Sequence, residues 1–486
     1  MKKSFPAPAE QLQEVMSRTY LEKRVSGPLP ASNSQQLVTW LIKLLLGLPS
    51  DVLASVISRL CAQAVTSGKE ETVTEYFDSQ LEVQPTAQFL EAIAAEKSPT
   101  VLFVARRPYF TILREALHLR DLGWKCYLLH SLPINEDVQR SLDEAFAGRL
   151  QTANHQLFIE RLVRAASADI VHVQCWMFDY ILGAGIVRAV TDVPVVCEFY
   201  DVTSLYADEA FLKTNWEASA VDLDLAMERI IFREADAVVT RFAPEALVEL
   251  EARHDHLTEV IQFWPYPSNH YINYGTGPAS ASDGKMRFVF AGGVFPMNND
   301  HPSELFPGRG LLPAAEKLLK QGYAVDVLHD PNRPLSPADA TYRAYFEFAD
   351  LHPEFRLLNG LPADKVAGAL SEYDFGMILF DMPAGVLKTR AGLLDWGIGT
   401  KLFTYLEAGL PVIVNREYGY MAKIIEDNDI GIAVSSGEIE SVSNRISALD
   451  LPNLRKNVRC YNEKHGMSSE ISRLAELYNG LMSWDR

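Results

Sequence analysis

GTKLFTYLEAGLPVIVNREYGYMAKIIEDNDIGIAV, residues 399–434, is the segment from which the fold class follows most directly. Two short apolar runs, LPVIVNR and IGIAV, flank an amphipathic helical pattern. Continuous apolar strands alternating with helices are typical of a parallel sheet covered on both faces. The alternation extends upstream through strands predicted in MRFVFAGGV, YAVDVLHD, EFRLLNG and DFGMILFD. Residues 286–450 are therefore predicted to form a doubly wound α/β domain.

A second alternating series lies upstream, over residues 98–272. Its strands are predicted in TVLFVARRP, KCYLLHSLP, ADIVHVQCW, PVVCEFYD, EADAVVTRF and EVIQFWPYP. Between the two series, NYGTGPASASDGK at 273–285 crowds Gly, Pro, Ser and Ala without periodicity, which is the composition of a linker. The chain is thus predicted to hold two tandem Rossmann-like domains, whose sheets point their carboxyl ends at one ligand cleft.

Helical patterns occupy both ends of the chain. Residues 1–97 are predicted to form an all-helical extension, and residues 451–486 a helical tail. The most apolar part of the extension, LVTWLIKLLLGLP, is interrupted by Lys43 and ends at Pro49, well short of the roughly 20 apolar residues that span a membrane. Its apolar stripe leaves three roles open: packing on the rest of the chain, self-association, and peripheral contact with a membrane.

Composition narrows the class of protein. The 486 residues carry 45 Lys plus Arg against 63 Asp plus Glu, a formal charge of −18, and 48% are apolar. This balance is typical of a folded protein, and an acidic surface disfavours general nucleic-acid binding. The cysteines, at 61, 126, 175, 197 and 460, are widely spaced and form no C-x-x-C pair. They favour a reducing compartment, and the N-terminus lacks the apolar run of a secretory signal, so a cytoplasmic location is predicted.

Segment 399–434 resembles the second-domain signature of GT-B fold glycosyltransferases of the family 4, or group 1, type. In that family a helix reading roughly K-L-x-E-Y-L-A-A-G precedes a strand P-V-I, and a later turn ends in G-x-x-V. Lys401, Tyr405, Gly409, Pro411 and Gly431 match this pattern in order and spacing. The resemblance covers about residues 98–450.

The resemblance implies a GT-B fold and the transfer of a sugar from a nucleotide-diphosphate donor to a glycan, lipid-linked or protein acceptor. It implies that the second domain binds the donor and the first the acceptor, with retained anomeric configuration and no metal ion. No separate cofactor is expected, because the nucleotide sugar is itself the donor substrate.

The sequence also departs from that family. Many members carry two glutamates eight positions apart, the second of which binds the donor ribose. Trp396 and Thr404 stand at those two positions here. Glu407, three residues further along the same helix, is the candidate substitute. The histidine that often closes the fifth strand of the first domain is replaced by Tyr200.

Donor-side candidates follow from the chemistry of the transfer. Negative charge develops on the departing diphosphate, and cations and backbone N–H groups stabilise it. Lys401 is the strongest candidate, because it lies at a predicted helix start, and Gly292 with Gly293 forms a turn through which backbone can approach phosphate. Arg309 lies just before a predicted helix, and the loop VLKTRAGLLDWGIGT supplies two further cations. The predicted donor-side set is Gly292, Gly293, Arg309, Lys388, Arg390, Lys401, Thr404 and Glu407.

Acceptor-side candidates lie at strand ends of the first domain. Two arginines end the first strand, and a carboxylate ends the fifth, where it could take a proton from an acceptor hydroxyl. That carboxylate could equally cap the next helix. The histidine of the fourth strand alternates with buried valines, so a purely structural role is open for it. The predicted set is Arg106, Arg107, His172, Tyr200 and Asp201, and Asp201, Lys401 and Arg309 are the predicted catalytic residues.

Several other activities are disfavoured by missing motifs. The chain contains no H-E-x-x-H, metal-binding D-x-D, G-x-x-x-x-G-K-[ST] or G-x-S-x-G pattern. These absences disfavour a zinc hydrolase, a metal-dependent GT-A transferase, a P-loop ATPase and a serine hydrolase, and no metal site is predicted. Two alternatives stay open: a nucleotide-sugar epimerase of the same architecture, and a catalytically silent GT-B-like subunit that binds a partner through residues 1–97.

Overall fold

The computed structural model describes residues 81–483, apart from positions 135, 153, 155, 255–256, 276, 281–283, 296–305, 332 and 334. Most of the predicted helical extension, including Lys43 and Pro49, therefore lies outside the described residues. Its described end forms helix α1, Gln84–Ala94. No helix within the described ranges is long and apolar enough to cross a bilayer.

The first domain is built on a parallel sheet of seven strands. The strands are β1 Thr100–Ala105, β2 Lys125–His130, β3 Gly148–Gln151, β4 Ile170–Cys175, β5 Val195–Phe199, β6 Ala237–Thr240 and β7 Glu259–Gln262. Their order in the sheet is β3-β2-β1-β4-β5-β6-β7. The sequence missed β3, because GRLQ is a short and mostly polar strand at the edge of the sheet, with only its leucine buried.

Helices cover both faces of this sheet. They are α2 Phe110–Asp121, α3 Glu136–Ala145, α4 Gln156–Ala165, α5 Ile181–Ala189, α6 Thr203–Tyr206, α7 Glu209–Asn215, α8 Ala218–Glu234 and α9 Ala246–His254. Each of β1, β4, β5 and β6 is buried along its whole length. This explains why these strands are mostly apolar rather than alternating, with His172, Gln174 and Glu198 as buried exceptions.

The second domain repeats the architecture with a parallel sheet of six strands. The strands are β8 Arg287–Ala291, β9 Ala324–Leu328, β10 Phe355–Leu358, β11 Phe375–Ile378, β12 Val412–Asn415 and β13 Gly431–Val434. Their order is β10-β9-β8-β11-β12-β13. The helices are α10 Leu311–Leu319, α11 Arg343–Leu351, α12 Ala363–Leu370, α13 Ala384–Thr389, α14 Ala391–Trp396, α15 Lys401–Glu407, α16 Gly419–Asp427 and α17 Ser443–Ile446, with 3-10 turns at Pro307–Gly310 and Ser436–Ser441.

The predicted loop around Lys388 and Arg390 is wrong, because this segment forms the two short helices α13 and α14. The junction between them is buried rather than solvated: Arg390 is 2% exposed. Its guanidinium lies 3.9 Å from the ring centre of Tyr206 in the first domain. An aromatic face contributed by the other domain therefore shields this cation.

Two more helices, α18 Leu451–His465 and α19 Met467–Met482, complete the described chain. Although α19 follows the second domain in sequence, its apolar face packs into the core of the first domain. Leu474 and Tyr478 belong to the same buried cluster as Phe103 and Leu128 of the first sheet. The chain thus passes between the domains twice, once before β8 and once before α19.

Candidate functional site

A cavity of about 270 Å³ opens between the two domains. The first domain contributes the turn after β1 and one side of α2 and α3. The second domain contributes the ends of β8 and β9, the turn after β10, the start of α12, and one side of α15. These are the carboxyl ends of strands in both sheets, where doubly wound folds bind ligands. Five of the predicted donor-side residues line the cavity: Gly292, Gly293, Lys401, Thr404 and Glu407.

Lys401 is the first residue of α15 and lies against the end of β8. Its Nζ is 5.0 Å from the ring centre of Phe290. Burial lowers the pKa of the Lys401 ammonium to about 8, nearby Arg241 lowers this pKa further, and Asp330 partly opposes the change. The cavity therefore contains a desolvated cation that gains from contact with an anion.

Gly292 and Gly293 form the turn beneath this lysine. Gly292 has φ of 135°, a backbone conformation that favours glycine, and its N–H donates to the carbonyl of Leu328 at 2.8 Å. A Cβ at Gly292 would lie 2.7 Å from Cε of Lys401, whereas a Cβ at Gly293 would have its nearest neighbour at 3.9 Å. The glycine at 292 thus permits the close approach of Lys401, and Gly293 leaves backbone open to the cavity.

Tyr405, one of the residues that carry the family resemblance, supports this turn from below. Its hydroxyl accepts a hydrogen bond from the N–H of Ala291 at 2.9 Å and donates to the carbonyl of Met377 at 3.0 Å. Gly376 leaves room for the ring, since a Cβ there would lie 2.3 Å from it. The phenol therefore fixes α15, and with it Lys401, relative to the ends of β8 and β11.

Glu407 forms a buried ion pair between the domains. Nε of Arg114, on α2, donates to its Oε1 at 2.9 Å, and NH2 of Arg114 donates to its Oε2 at 2.6 Å. The N–H of Ser268 also donates to Oε1, at 2.9 Å. Both side chains of the pair line the cavity. Glu407 was predicted from the sequence to bind the nucleotide-sugar donor, whereas Arg114 was not predicted to be part of the site.

Thr404 lies one turn earlier on α15, where the family often has the ribose-binding glutamate, and it too lines the cavity. Its hydroxyl can donate one hydrogen bond and accept two. The position thus keeps a polar group without the negative charge of a glutamate.

Three predicted donor-side cations do not line the cavity. Arg309 lies in the 3-10 turn before α10, with its guanidinium 5.4 Å from the ring centre of Phe295. Lys388 is exposed on α13, and Arg390 is buried against Tyr206. The structure therefore brings Lys401 to the predicted place and leaves these three elsewhere.

The arginines after β1 also lie outside the cavity lining. Nε of Arg106 donates to both carboxylate oxygens of Asp179, at 2.9 and 2.8 Å, and its NH2 donates to Oε1 of Gln156 at 3.1 Å. Arg107 is exposed. Arg106 therefore holds the ends of β1 and β4 together within the first domain.

Tyr109, Trp176 and Tyr200 form an aromatic cluster on the first-domain side of the cavity. Tyr109 lines the cavity, and its ring centre lies 5.1 Å from that of Trp176 and 4.7 Å from that of Tyr200. The Tyr109 hydroxyl lies 3.3 Å from that of Tyr200 and 3.5 Å from Oγ1 of Thr400. Burial, and to a smaller extent Tyr200, raises the pKa of the Tyr109 phenol well above its usual value, so this hydroxyl stays protonated.

Asp201 is held by Arg241, a residue that the sequence missed. NH2 of Arg241 lies 2.5 Å from Oδ1 of Asp201. The same guanidinium donates to the carbonyl of Ile398, in the second domain. Asp201 is not a helix cap, because α6 begins after Val202. Arg241 directly follows β6, and a basic residue just after a strand was the signal that the sequence offered.

His172 lies in the core of the first domain and does not line the cavity. It is 0% exposed, its Nδ1 is 2.5 Å from the hydroxyl of Tyr478, and its ring stacks on Phe103. This placement agrees with the structural role that the sequence left open.

Comparisons with known proteins bear on both domains. Residues 340–467 match the family model described as glucosyltransferase 3-like, C-terminal domain. The sucrose-phosphate synthase of Thermosynechococcus elongatus superposes with a TM-score of 0.56 and 12% identity, over 79% of this chain and 99% of that one. HepE of Anabaena, solved in complex with UDP and glucose, superposes with a TM-score of 0.54 and 15% identity, over 79% and 99%. No curated protein sequence matches significantly. The predicted GT-B fold is confirmed.

Proposed function

We propose that this GT-B chain is a glycosyltransferase, which moves a sugar from a nucleotide-diphosphate donor to a glycan, lipid-linked or protein acceptor without a catalytic metal ion. One observation carries the proposal: the half-buried Lys401 ammonium lies over the Gly292–Gly293 turn, inside a cavity lined by both domains. The match of residues 340–467 to a glucosyltransferase-like domain supports it.

The leaving group explains why a lysine is needed there. Breaking the bond between sugar and diphosphate builds negative charge on the phosphate oxygens. A preorganised cation and backbone N–H groups stabilise that charge most where water is excluded. Lys401 supplies the cation and the open backbone at Gly293 an N–H donor, so the donor diphosphate is assigned to this end of the cavity.

The carboxylates near the cavity favour a retaining reaction. Glu407 is held by Arg114, and Asp201 is held by Arg241. Both oxygens of Glu407 and Oδ1 of Asp201 already accept hydrogen bonds from these guanidinium groups, so they are less available to an acceptor hydroxyl. We therefore assign the proton of the acceptor hydroxyl to the departing phosphate and not to either side chain.

The acceptor is assigned to the side of Tyr109. Its ring lines the cavity and packs against Trp176 and Tyr200, and its protonated hydroxyl can donate to a ligand. On the donor side, Thr404 lets a ribose hydroxyl bind through one hydrogen bond. A charged bond of the kind that glutamate makes is about twice as strong, so we expect this chain to bind its nucleotide less tightly than relatives with the glutamate.

The testing experiment is a thermal-shift screen of the full chain against UDP, GDP, CDP, ADP and dTDP and their sugars, without added metal. A ligand at 100 times its Kd should add about 2.7 kcal/mol to the unfolding free energy. We expect one nucleotide to raise Tm, and Lys401→Ala to remove that shift. Lys388→Ala, which neutralises an exposed lysine of the same domain, is the matched control and should keep it.

The same screen, combined with product analysis of the shifting nucleotide sugar incubated with and without an acceptor, separates the alternatives. A nucleotide that shifts Tm and a donor that changes only in the presence of an acceptor support the transferase. A donor whose sugar changes configuration without any acceptor indicates the epimerase. A folded protein with no shift for any nucleotide contradicts our proposal and indicates the silent, partner-binding subunit, to which Trp396 and Thr404 also point.

A further inference from the structure

Two glutamates and one histidine lie close together in the core of the first domain, and none of them lines the cavity. Glu115 comes from α2, His172 from β4 and Glu198 from β5, and one ligand atom of each lies within 4.8 Å of the other two. They are 1%, 0% and 7% exposed. Charged groups buried in this way need a compensating partner.

Each side chain directs an unsatisfied atom into this cluster. Oε2 of Glu115, Nε2 of His172 and Oε2 of Glu198 are buried without a hydrogen-bond partner. Nε2 of His172 lies 3.7 Å from Oε2 of Glu198. This distance is longer than a hydrogen bond of about 2.7–3.2 Å. Two ligands at about 2.0–2.2 Å from a tetrahedral zinc ion lie about 3.3–3.6 Å apart, so the spacing is close to that of atoms around a small cation.

The cluster also lacks positive charge. In the part of the chain that the structure describes, no lysine or arginine forms an ion pair with Glu115 or Glu198. A cation between the two carboxylates would remove their repulsion and use all three unsatisfied atoms.

The surroundings of His172 suit a metal ligand. Its Nδ1 lies 2.5 Å from the hydroxyl of Tyr478, and its ring stacks on Phe103 at 4.9 Å between ring centres. An Nδ1–H that donates to the tyrosine oxygen leaves the lone pair of Nε2 directed at the carboxylates. Metal-binding histidines are usually oriented by such an outer hydrogen bond.

We infer that Glu115, His172 and Glu198 bind one divalent first-row metal ion, with Zn²⁺ as the best fit, at a buried site in the first domain. One imidazole nitrogen and two carboxylate oxygens are common zinc ligands. The ion would tie α2 to β4 and β5. Because Arg114 precedes Glu115 on α2, it would also fix the helix that carries the ion pair to Glu407. The inference is independent of the proposed transfer reaction.

Metal analysis of the purified full chain tests this. The protein is prepared without chelators, and its metal content is measured by mass spectrometry. We expect about one metal ion per chain, and its loss in Glu115→Gln and Glu198→Gln. The control is His270→Ala, which disrupts a separate, partly exposed cluster of His118, Asp121 and His270; this variant should keep the ion.

Two outcomes would overturn the inference. One is a folded, metal-free wild-type chain whose Tm is unchanged by Zn²⁺ after chelator treatment. The other is an ion that Glu198→Gln keeps and His270→Ala loses, since this assigns the metal to the exposed cluster. If the glutamine variants do not fold, Co²⁺ titration of the wild-type chain and of Tyr478→Phe tests the site instead. Losing the outer hydrogen bond to His172 should weaken metal binding about 10- to 100-fold. An unchanged Co²⁺ affinity contradicts the site.

Discussion

Replacing Lys401 by methionine should stabilise the free protein and at the same time weaken nucleotide binding. Methionine has a similar length and no charge, so it can occupy the same space over Gly292 without a desolvated ammonium. A substitution that only damaged the fold would lower both stability and binding. The two opposite effects therefore identify a lysine that is retained for ligand binding at a cost in stability.

The size of the effect follows from the pKa of Lys401. Burial lowers it from 10.5 to about 8. Because one pKa unit corresponds to about 1.4 kcal/mol, the charge costs the folded state up to about 3 kcal/mol. Between pH 8 and pH 10.5 the unfolded chain binds a proton here that the folded chain releases. Wild-type stability from this group thus rises with pH across that window, and the penalty is fully present below it.

Urea unfolding of the two proteins without ligand measures this difference. At pH 7 we expect Lys401→Met to have the higher unfolding free energy, by roughly 1–3 kcal/mol, and the advantage should shrink by about 1 kcal/mol at pH 9. Lys388→Met, at an exposed position of the same domain, should leave stability unchanged at both pH values. A less stable Lys401→Met, or an advantage that is the same at both pH values, would refute the argument from burial.

Three further outcomes are expected. The nucleotide Kd should rise about tenfold between pH 7 and pH 9, because Lys401, with a pKa of about 8, loses its proton over this range. Titration calorimetry in two buffers should show that binding takes up a proton. A Kd that does not change with pH argues against contact between Lys401 and phosphate. Arg114→Leu should lower the unfolding free energy by about 3–5 kcal/mol because it leaves Glu407 buried and unpaired, and adding Glu407→Leu should restore most of it in urea unfolding; no restoration contradicts the pairing. Gly292→Ala should lower Tm and nucleotide affinity through its φ of 135° and the contact with Lys401, whereas Gly293→Ala should keep Tm.

The fold could be predicted from the sequence where the information is local. Buried parallel strands are mostly apolar, so β1 and β12 were evident as runs of Val, Ile, Leu and Phe, and β4 as a similar run that contains His172 and Gln174. The edge strand β3 was not, because only one of its four residues is buried. The segment around Arg390 was predicted to be a solvated loop because a cation in a sequence usually indicates a solvent-exposed residue. In the structure Arg390 is buried against a ring of the other domain, and the sequence around it does not show that contact.

The residues of the candidate site likewise fall into those that a local motif predicts and those that it does not. Lys401 and the Gly292–Gly293 turn could be predicted, because each follows from a short motif at a strand or helix end. Arg114 and Arg241 could not, because their partners are distant in sequence: 293 residues separate Arg114 from Glu407, and 157 separate Arg241 from Ile398. A short motif predicts the local structure of its own segment. The contacts that join the two domains depend instead on how the domains pack, which no single segment specifies.

The position of α19 has a consequence for how the chain is made. Ribosomes release the N-terminal domain first, and most tandem domains can fold in that order. Here part of the first domain's core is supplied by Met467–Met482, at the far end of the described chain. Helices α2 and α3 cover part of the sheet face that contains Phe103, but the part that packs on α19 stays uncovered until the second domain has been synthesised. A truncation that removes α19 should therefore expose the earlier half of the protein to aggregation and proteolysis, although its own sequence is intact.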